Sequence, residues 1–194
     1  MTLKIVFVFI ALTLTITATF LQRNPEAERW EALFIGPRVS GWVLNCPNPG
    51  TPPTWRLDNG QICVASPAGS PSWITSREVS SKFRLWMQFK PGCCPTFPPE
   101  LVLFTKPDAD NNHPTGLSFP IWTNDKQLRN GMAIDKWNNL DVRTAKDSIK
   151  IYLNDQLVHN IKLDADQDAN RISLYIPADG ETRMSFRNIR VKSL

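Results

Sequence analysis

The side chains in this sequence with chemistry to offer are four cysteines, two histidines, seven tryptophans and a run of cations near the C-terminus. Cys46, Cys63, Cys93 and Cys94 suit an oxidising compartment. Three pairings are open to them. Adjacent Cys93 and Cys94 fit disulfide geometry poorly with each other, so each is expected to seek Cys46 or Cys63. Zinc has little to hold it, because there is no Cys-x-x-Cys and the histidines are only His113 and His159. Either histidine could act as a base near neutral pH. One stands in a polar stretch and the other in the return strand of a hairpin, and both read as surface residues. Arg183, Arg187, Arg190 and Lys192 could hold phosphate or nucleic acid. Their alternation with Met184, Phe186, Ile189 and Val191 reads instead as the solvated face of a strand, so no nucleic-acid partner is expected. No nucleophile elbow, phosphate loop or dinucleotide fingerprint is present. Triad and nucleotide chemistry therefore find no support, and no metal or cofactor is expected.

The elements that would position these groups are short alternating runs separated by turn residues, the pattern of an all-β sandwich. Trp55-Arg56-Leu57, Asp58-Asn59-Gly60 and Gln61-Ile62-Cys63-Val64 form one predicted hairpin around a tight turn. Phe83, Leu85, Met87 and Phe89 alternate with Arg84, Trp86, Gln88 and Lys90, so four apolar side chains share one face. Trp86 then projects from the polar face between Arg84 and Gln88, an unusual place for an indole. Further strands are predicted at 101–105, 117–123, 138–143, 171–176 and 183–191. A second hairpin turns at Asn154-Asp155. About ten strands joined by hairpins favour a two-sheet antiparallel jelly roll over a barrel. The proline-rich segment 91–99 reads as a rigid loop.

Ahead of this pattern, Lys4 precedes an apolar run from Ile5 to Leu21 closed by Gln22-Arg23-Asn24-Pro25. That is the form of a secretory signal or an N-terminal membrane anchor, and the run is short for a span of roughly 17–25 residues. Residues 1–24 are read as that segment and 25–194 as the jelly-roll domain, placed outside the cytoplasm. No cysteine stands where lipoprotein processing would need one.

The order of motifs resembles the 3-keto-disaccharide hydrolase family. Ala32-Leu33-Phe34-Ile35-Gly36 with Ser40-Gly41-Trp42 resembles its opening, and Trp55 to Ile62 resembles its first hairpin. Trp73-Ile74-Thr75-Ser76 before Phe83-Arg84-Leu85, Lys136-Trp137-Asn138, Tyr152-Leu153-Asn154-Asp155 and Phe186-Arg187-Asn188-Ile189 follow in family order. The resemblance implies a concanavalin-like jelly roll acting on sugars, often ones whose 3-hydroxyl has become a ketone. It assigns Trp42, Trp55 and Trp137 to packing. Two family motifs are altered. The Asn-Ser-Gly segment is replaced around Pro99 to Thr105, and the acidic segment appears as Phe119 to Asp125, with Phe119 or Pro120 where a glutamate belongs.

Two mechanisms follow from that resemblance. Glycosidic hydrolysis needs paired carboxyl groups, whereas a keto-sugar can open by elimination once a base removes the proton beside the ketone. Asp125 is the first candidate acid or base and Glu100 the second. Arg84, Trp86, Gln88 and Trp122 are the candidate sugar contacts, since aromatic rings stack on pyranoses while amides and charges bond their hydroxyls. A working site requires Arg84, Trp86 and Asp125 on one face of one sheet. The competing expectation is a structural or interaction module held at the membrane by its N-terminus.

Overall fold

The computed structural model describes residues 29–33, 41–46, 54–66, 71–92, 98–106, 113–122, 131–164, 167, 169–178 and 182–194. Among them there is no helix, and so none long and apolar enough to cross a membrane; the apolar run before residue 29 lies outside them. All regular structure is antiparallel strand. The strands are β1 (Glu31–Ala32), β2 (Trp42–Asn45), β3 (Thr54–Asp58), β4 (Gln61–Ser66), β5 (Ser72–Ser76), β6 (Phe83–Pro91) and β7 (Glu100–Thr105). They continue as β8 (Leu117–Pro120), β9 (Asn138–Thr144), β10 (Ser148–Leu153), β11 (Gln156–Lys162), β12 (Arg171–Ile176) and β13 (Thr182–Ser193).

Two sheets result. The larger has eight strands in the order β11-β10-β9-β6-β13-β4-β3, with β1 added on β13; the smaller has five, β2-β5-β12-β7-β8. The predicted jelly roll is therefore the fold, and both predicted hairpins form. Asn59-Gly60 and Asn154-Asp155 take the positive φ values of two-residue turns, 46° and 74° in the first and 46° and 66° in the second.

The core lies between the sheets. From β6, Phe83, Leu85, Met87 and Phe89 all point inward and are buried. The row Phe89–Phe186–Ile62 crosses three strands of the large sheet, and Leu101, Leu174 and Ile74 form its counterpart on the small one. Phe83 meets Phe104 at 5.9 Å between ring centres. Phe104 sits at a register shift with φ of 56°. That conformation costs a side-chain-bearing residue about 1–2 kcal/mol, and it turns the ring into the core. A polar link also joins the sheets, where the Trp55 indole donates to Ser72 Oγ at 2.9 Å.

The central strands of the small sheet are buried on both faces, so all five residues of β5 are buried although three are Ser or Thr. Part of its cover is the segment 113–116, which lies directly on β7. A Cβ at Gly116 would stand 2.5 Å from the Leu103 carbonyl oxygen and 2.8 Å from Val102 Cγ1. Gly116→Ala is accordingly expected to cost about 1–2 kcal/mol by overpacking, read as a lower urea midpoint. An unchanged midpoint would show that the segment does not bear on β7.

Candidate functional site

The predicted site residues divide between the outer faces of the two sheets and the core. Arg84, Trp86 and Gln88 lie on the outer face of the large sheet, as the alternation of β6 requires. Trp122 does not join them. It is 1% exposed and lines an apolar cleft of about 230 Å³ with Pro98, Phe119, Ile151 and His159. The chain turns inward just after β8, where Ile121 N–H donates to the Pro99 carbonyl, and this carries the indole between the sheets. Glu100 begins β7 on the small sheet, so it does not share a face with Arg84 and Trp86. Asp125 lies outside the described residues, as do Cys93 and Cys94. Cys46 and Cys63 are free thiols, so no bridge joins them. Burial raises the Cys46 thiol above its ordinary pKa.

On the large sheet, the outward side chains of β10, β9, β6 and β13 stand in register. One row reads Lys150, Arg143, Arg84, Lys192, and the next reads Tyr152, Asp141, Trp86, Arg190. Asp141 holds the first row together. Arg84 donates to both its oxygens at 2.8 Å, and Arg143 donates to Oδ2 at 2.8 and 3.1 Å. Burial by itself would raise the Asp141 carboxyl, but the hydrogen bonds and charges of the two arginines outweigh it and hold the group below the ordinary aspartate range. Gln88 is fixed in the same way, donating to Asn139 Oδ1 at 2.8 Å while accepting from Arg187 at 2.8 Å and Asn188 at 3.0 Å.

Aromatic rings are interleaved with these groups. The Arg190 guanidinium lies 4.3 Å from the Trp86 ring centre and 4.9 Å from that of Trp30. Arg187 lies 3.9 Å from the ring of Trp137, and Arg143 lies 4.5 Å from that of Tyr152. These are cation–π distances. Trp137 therefore belongs to this face rather than to the packing assigned to it from sequence. Asn138 brings it there, because its buried amide donates to the Lys136 and Ala133 carbonyls and folds that loop against the sheet. Beside Trp86 opens a depression of about 400 Å³ lined by Ala32, Gly60, Asn188, Ile189 and Arg190.

The second constellation was missed as a group in the sequence. On the small sheet, Glu100 Oε2 lies 2.9 Å from His113 Nε2 and also accepts from the Ser118 hydroxyl. His113 Nδ1 is 2.8 Å from the Pro114 carbonyl oxygen, and its ring is centred 4.4 Å from that of Tyr175. A carbonyl accepts only from N–H, so Nδ1 carries a proton and Nε2 is the atom that faces Glu100. The outward rows of this sheet contain no second carboxylate beside Glu100. Among the described residues, then, the small sheet offers one acid–base pair and no pair of carboxyl groups.

The model of the 3-keto-alpha-glucoside-1,2-lyase-like domain matches residues 29–192. The chain belongs to that family. A Parabacteroides distasonis protein proposed to be a glycosyl hydrolase superposes with a TM-score of 0.62 at 16% identity, covering 86% of this chain and 100% of that one. The carbohydrate-binding module CBM66 of Bacillus subtilis gives 0.55 at 17%, covering 79% and 96%. The cellulose-induced protein Cip1 gives 0.59 at 9%, covering 86% and 98%. At these identities the likeness is one of fold. No curated protein matches the sequence. As a member of the lyase-like family, the chain is a saccharide-related domain.

Proposed function

We propose that this member of the 3-keto-alpha-glucoside-1,2-lyase-like family is an exported saccharide-recognising domain whose ligand lies across the outer face of the large sheet. The observation that carries this reading is the open depression beside Trp86, flanked by Arg190 and Asn188. It puts an aromatic wall, an amide and a guanidinium where a sugar ring needs them. Export rests on the apolar run from Ile5 to Leu21 behind Lys4, as cleaved signal or retained anchor. Tryptophan fluorescence titrated with disaccharides and their 3-keto forms tests the site. Saturable quenching is expected, with affinity about tenfold weaker in Trp86→Ala, the worth of one stacking contact. Unchanged affinity in that variant would remove the large-sheet face from the site.

A second reading is favoured by the Glu100–His113 pair. Elimination from a keto-sugar needs a single base to take the activated proton, and this pair provides one proton-exchanging group without a second carboxylate. Product formation followed by mass, and abolished in Glu100→Gln, would establish the domain as an enzyme.

A further inference from the structure

We infer that the saccharide recognised on the large sheet is anionic, a polymer bearing uronate or sulfate groups; this rests on the saccharide reading above. Strands β6, β9, β10 and β13 carry eight cations, Arg84, Lys90, Arg143, Lys150, Arg183, Arg187, Arg190 and Lys192, and one carboxylate, Asp141. Every one of the eight projects from the outer face, since the alternate positions of each strand are buried. The face thus has a surplus of seven positive charges, whereas the whole sequence carries +4. The remainder of the chain is acidic on balance, and the polarity is local to this face.

The arrangement is costly for the fold alone. Lys150, Arg143, Arg84 and Lys192 stand directly opposite one another across four neighbouring strands, and like charges in that relation repel. Asp141 bonds the two central arginines. With strands about 4.8 Å apart, the row is a track roughly 14 Å long with a cation at each step. An extended chain of acidic sugars presents anions at regular intervals along such a track. Rings lie along the same track, with Trp30 over Arg84, Arg190 and Lys192, and Tyr152 beside Arg143. The fixed amides of Gln88, Asn139 and Asn188 stand on the same face two rows further on, beside Arg187. Rings and amides beside the cations suit sugar faces and hydroxyls, which distinguishes this surface from one built for phosphate backbone alone.

The test uses the full chain in non-ionic detergent, titrated with polygalacturonate, dextran sulfate, neutral dextran, duplex DNA and phosphatidylglycerol vesicles. Binding to one of the acidic polysaccharides is expected to exceed binding to dextran by at least about tenfold and to weaken as salt is raised. Lys150→Gln/Lys192→Gln, which removes the ends of the row, is expected to weaken it by about tenfold. Lys106→Gln, at the end of β7 on the small sheet, should leave it unchanged. Equal binding of dextran and the acidic polymers, insensitive to the double variant, would overturn the anionic assignment and leave the saccharide reading standing. Tighter binding to DNA or to vesicles than to any polysaccharide would overturn the choice of a sugar for this face. Binding to none of the polymers, with 3-keto disaccharides also inert, would overturn both readings. An unfolding midpoint of the double variant at or above that of the parent shows that any lost affinity is not lost structure.

Discussion

Phe186→Ala is expected to lower the free energy of unfolding by about 3–5 kcal/mol, the range for removing a fully buried phenyl ring from a core that relaxes only in part. Phe186 is wholly excluded from solvent, at the centre of the inward row Phe89–Phe186–Ile62. Its strand, β13, lies between β6 and β4 in the middle of the large sheet. A cavity there loosens the packing of both neighbours at once. Phe186→Leu keeps most of the apolar volume and should cost about 1 kcal/mol. Urea unfolding measures both, with the midpoint falling at an unchanged slope. A loss below 1 kcal/mol in the alanine variant would mean that the two sheets do not meet at this ring. Because Arg187 follows Phe186 on the opposite face, the same variant should also weaken ligand binding indirectly.

The second large effect belongs to Asp141. Asp141→Ala is expected to cost about 2–3 kcal/mol at low salt, since it strips two guanidiniums of charge-assisted hydrogen bonds and leaves adjacent like charges opposed. The site is not fully buried, with the carboxylate side chain 14% exposed and Arg84 32% exposed, so the figure is set below that for a dry ion pair. Raised salt should recover part of the loss. The pH dependence has a definite sign. The folded-state pKa of Asp141 is depressed from 3.8 by Arg84 and Arg143 against the opposing effect of burial. Its contribution is therefore present above the unfolded value and disappears as pH falls through the lower folded one. The parent protein should lose stability on acidification below about pH 4, and Asp141→Ala should lose less over the same interval. Urea midpoints at pH 3 and pH 6 decide it, and equal acid sensitivity in the two proteins would remove Asp141 as the anchor.

Local chemistry was the legible part of this sequence. Asn59-Gly60 and Asn154-Asp155 announced their hairpins because few residues take left-handed backbone readily. The alternation of β6 announced which of its side chains face the core. What alternation does not encode is which sheet a strand joins. Arg84 and Glu100 were both candidates for one site, yet β6 and β7 belong to different sheets, and the two residues end on opposite sides of the molecule. The covered small sheet defeated the reading in another way. Ser72, Thr75, Ser76 and Ser173 are polar and buried, satisfied by bonds such as Thr75 to Ser173 at 2.8 Å, so polarity there carried no information about exposure. The His113–Glu100 contact pairs residues 13 apart in the sequence, and neither spacing nor period signals it. Trp137 was misjudged because the placement of its ring depends on Asn138 folding the loop back, a tertiary event.

Asn188 has a wider meaning for how this surface can change. It is the extra residue of a bulge in β13, with φ of 54°, and the pairing with β6 shifts register between Arg187 and Arg190. On its N-terminal side the even-numbered residues Met184 and Phe186 are buried, and on its C-terminal side the odd-numbered Ile189 and Val191 are. The strand is thus two half-strands out of phase by one residue. Point substitutions can retune the cationic face one side chain at a time. Loss of Asn188 itself would close the bulge and restore unbroken alternation, leaving Ile189 and Val191 in the core and Arg190 and Lys192 outside. Loss of a residue elsewhere in β13, such as Ser185, would exchange core and face beyond it, so the charge pattern tolerates replacement along the whole strand but change of length only at the bulge.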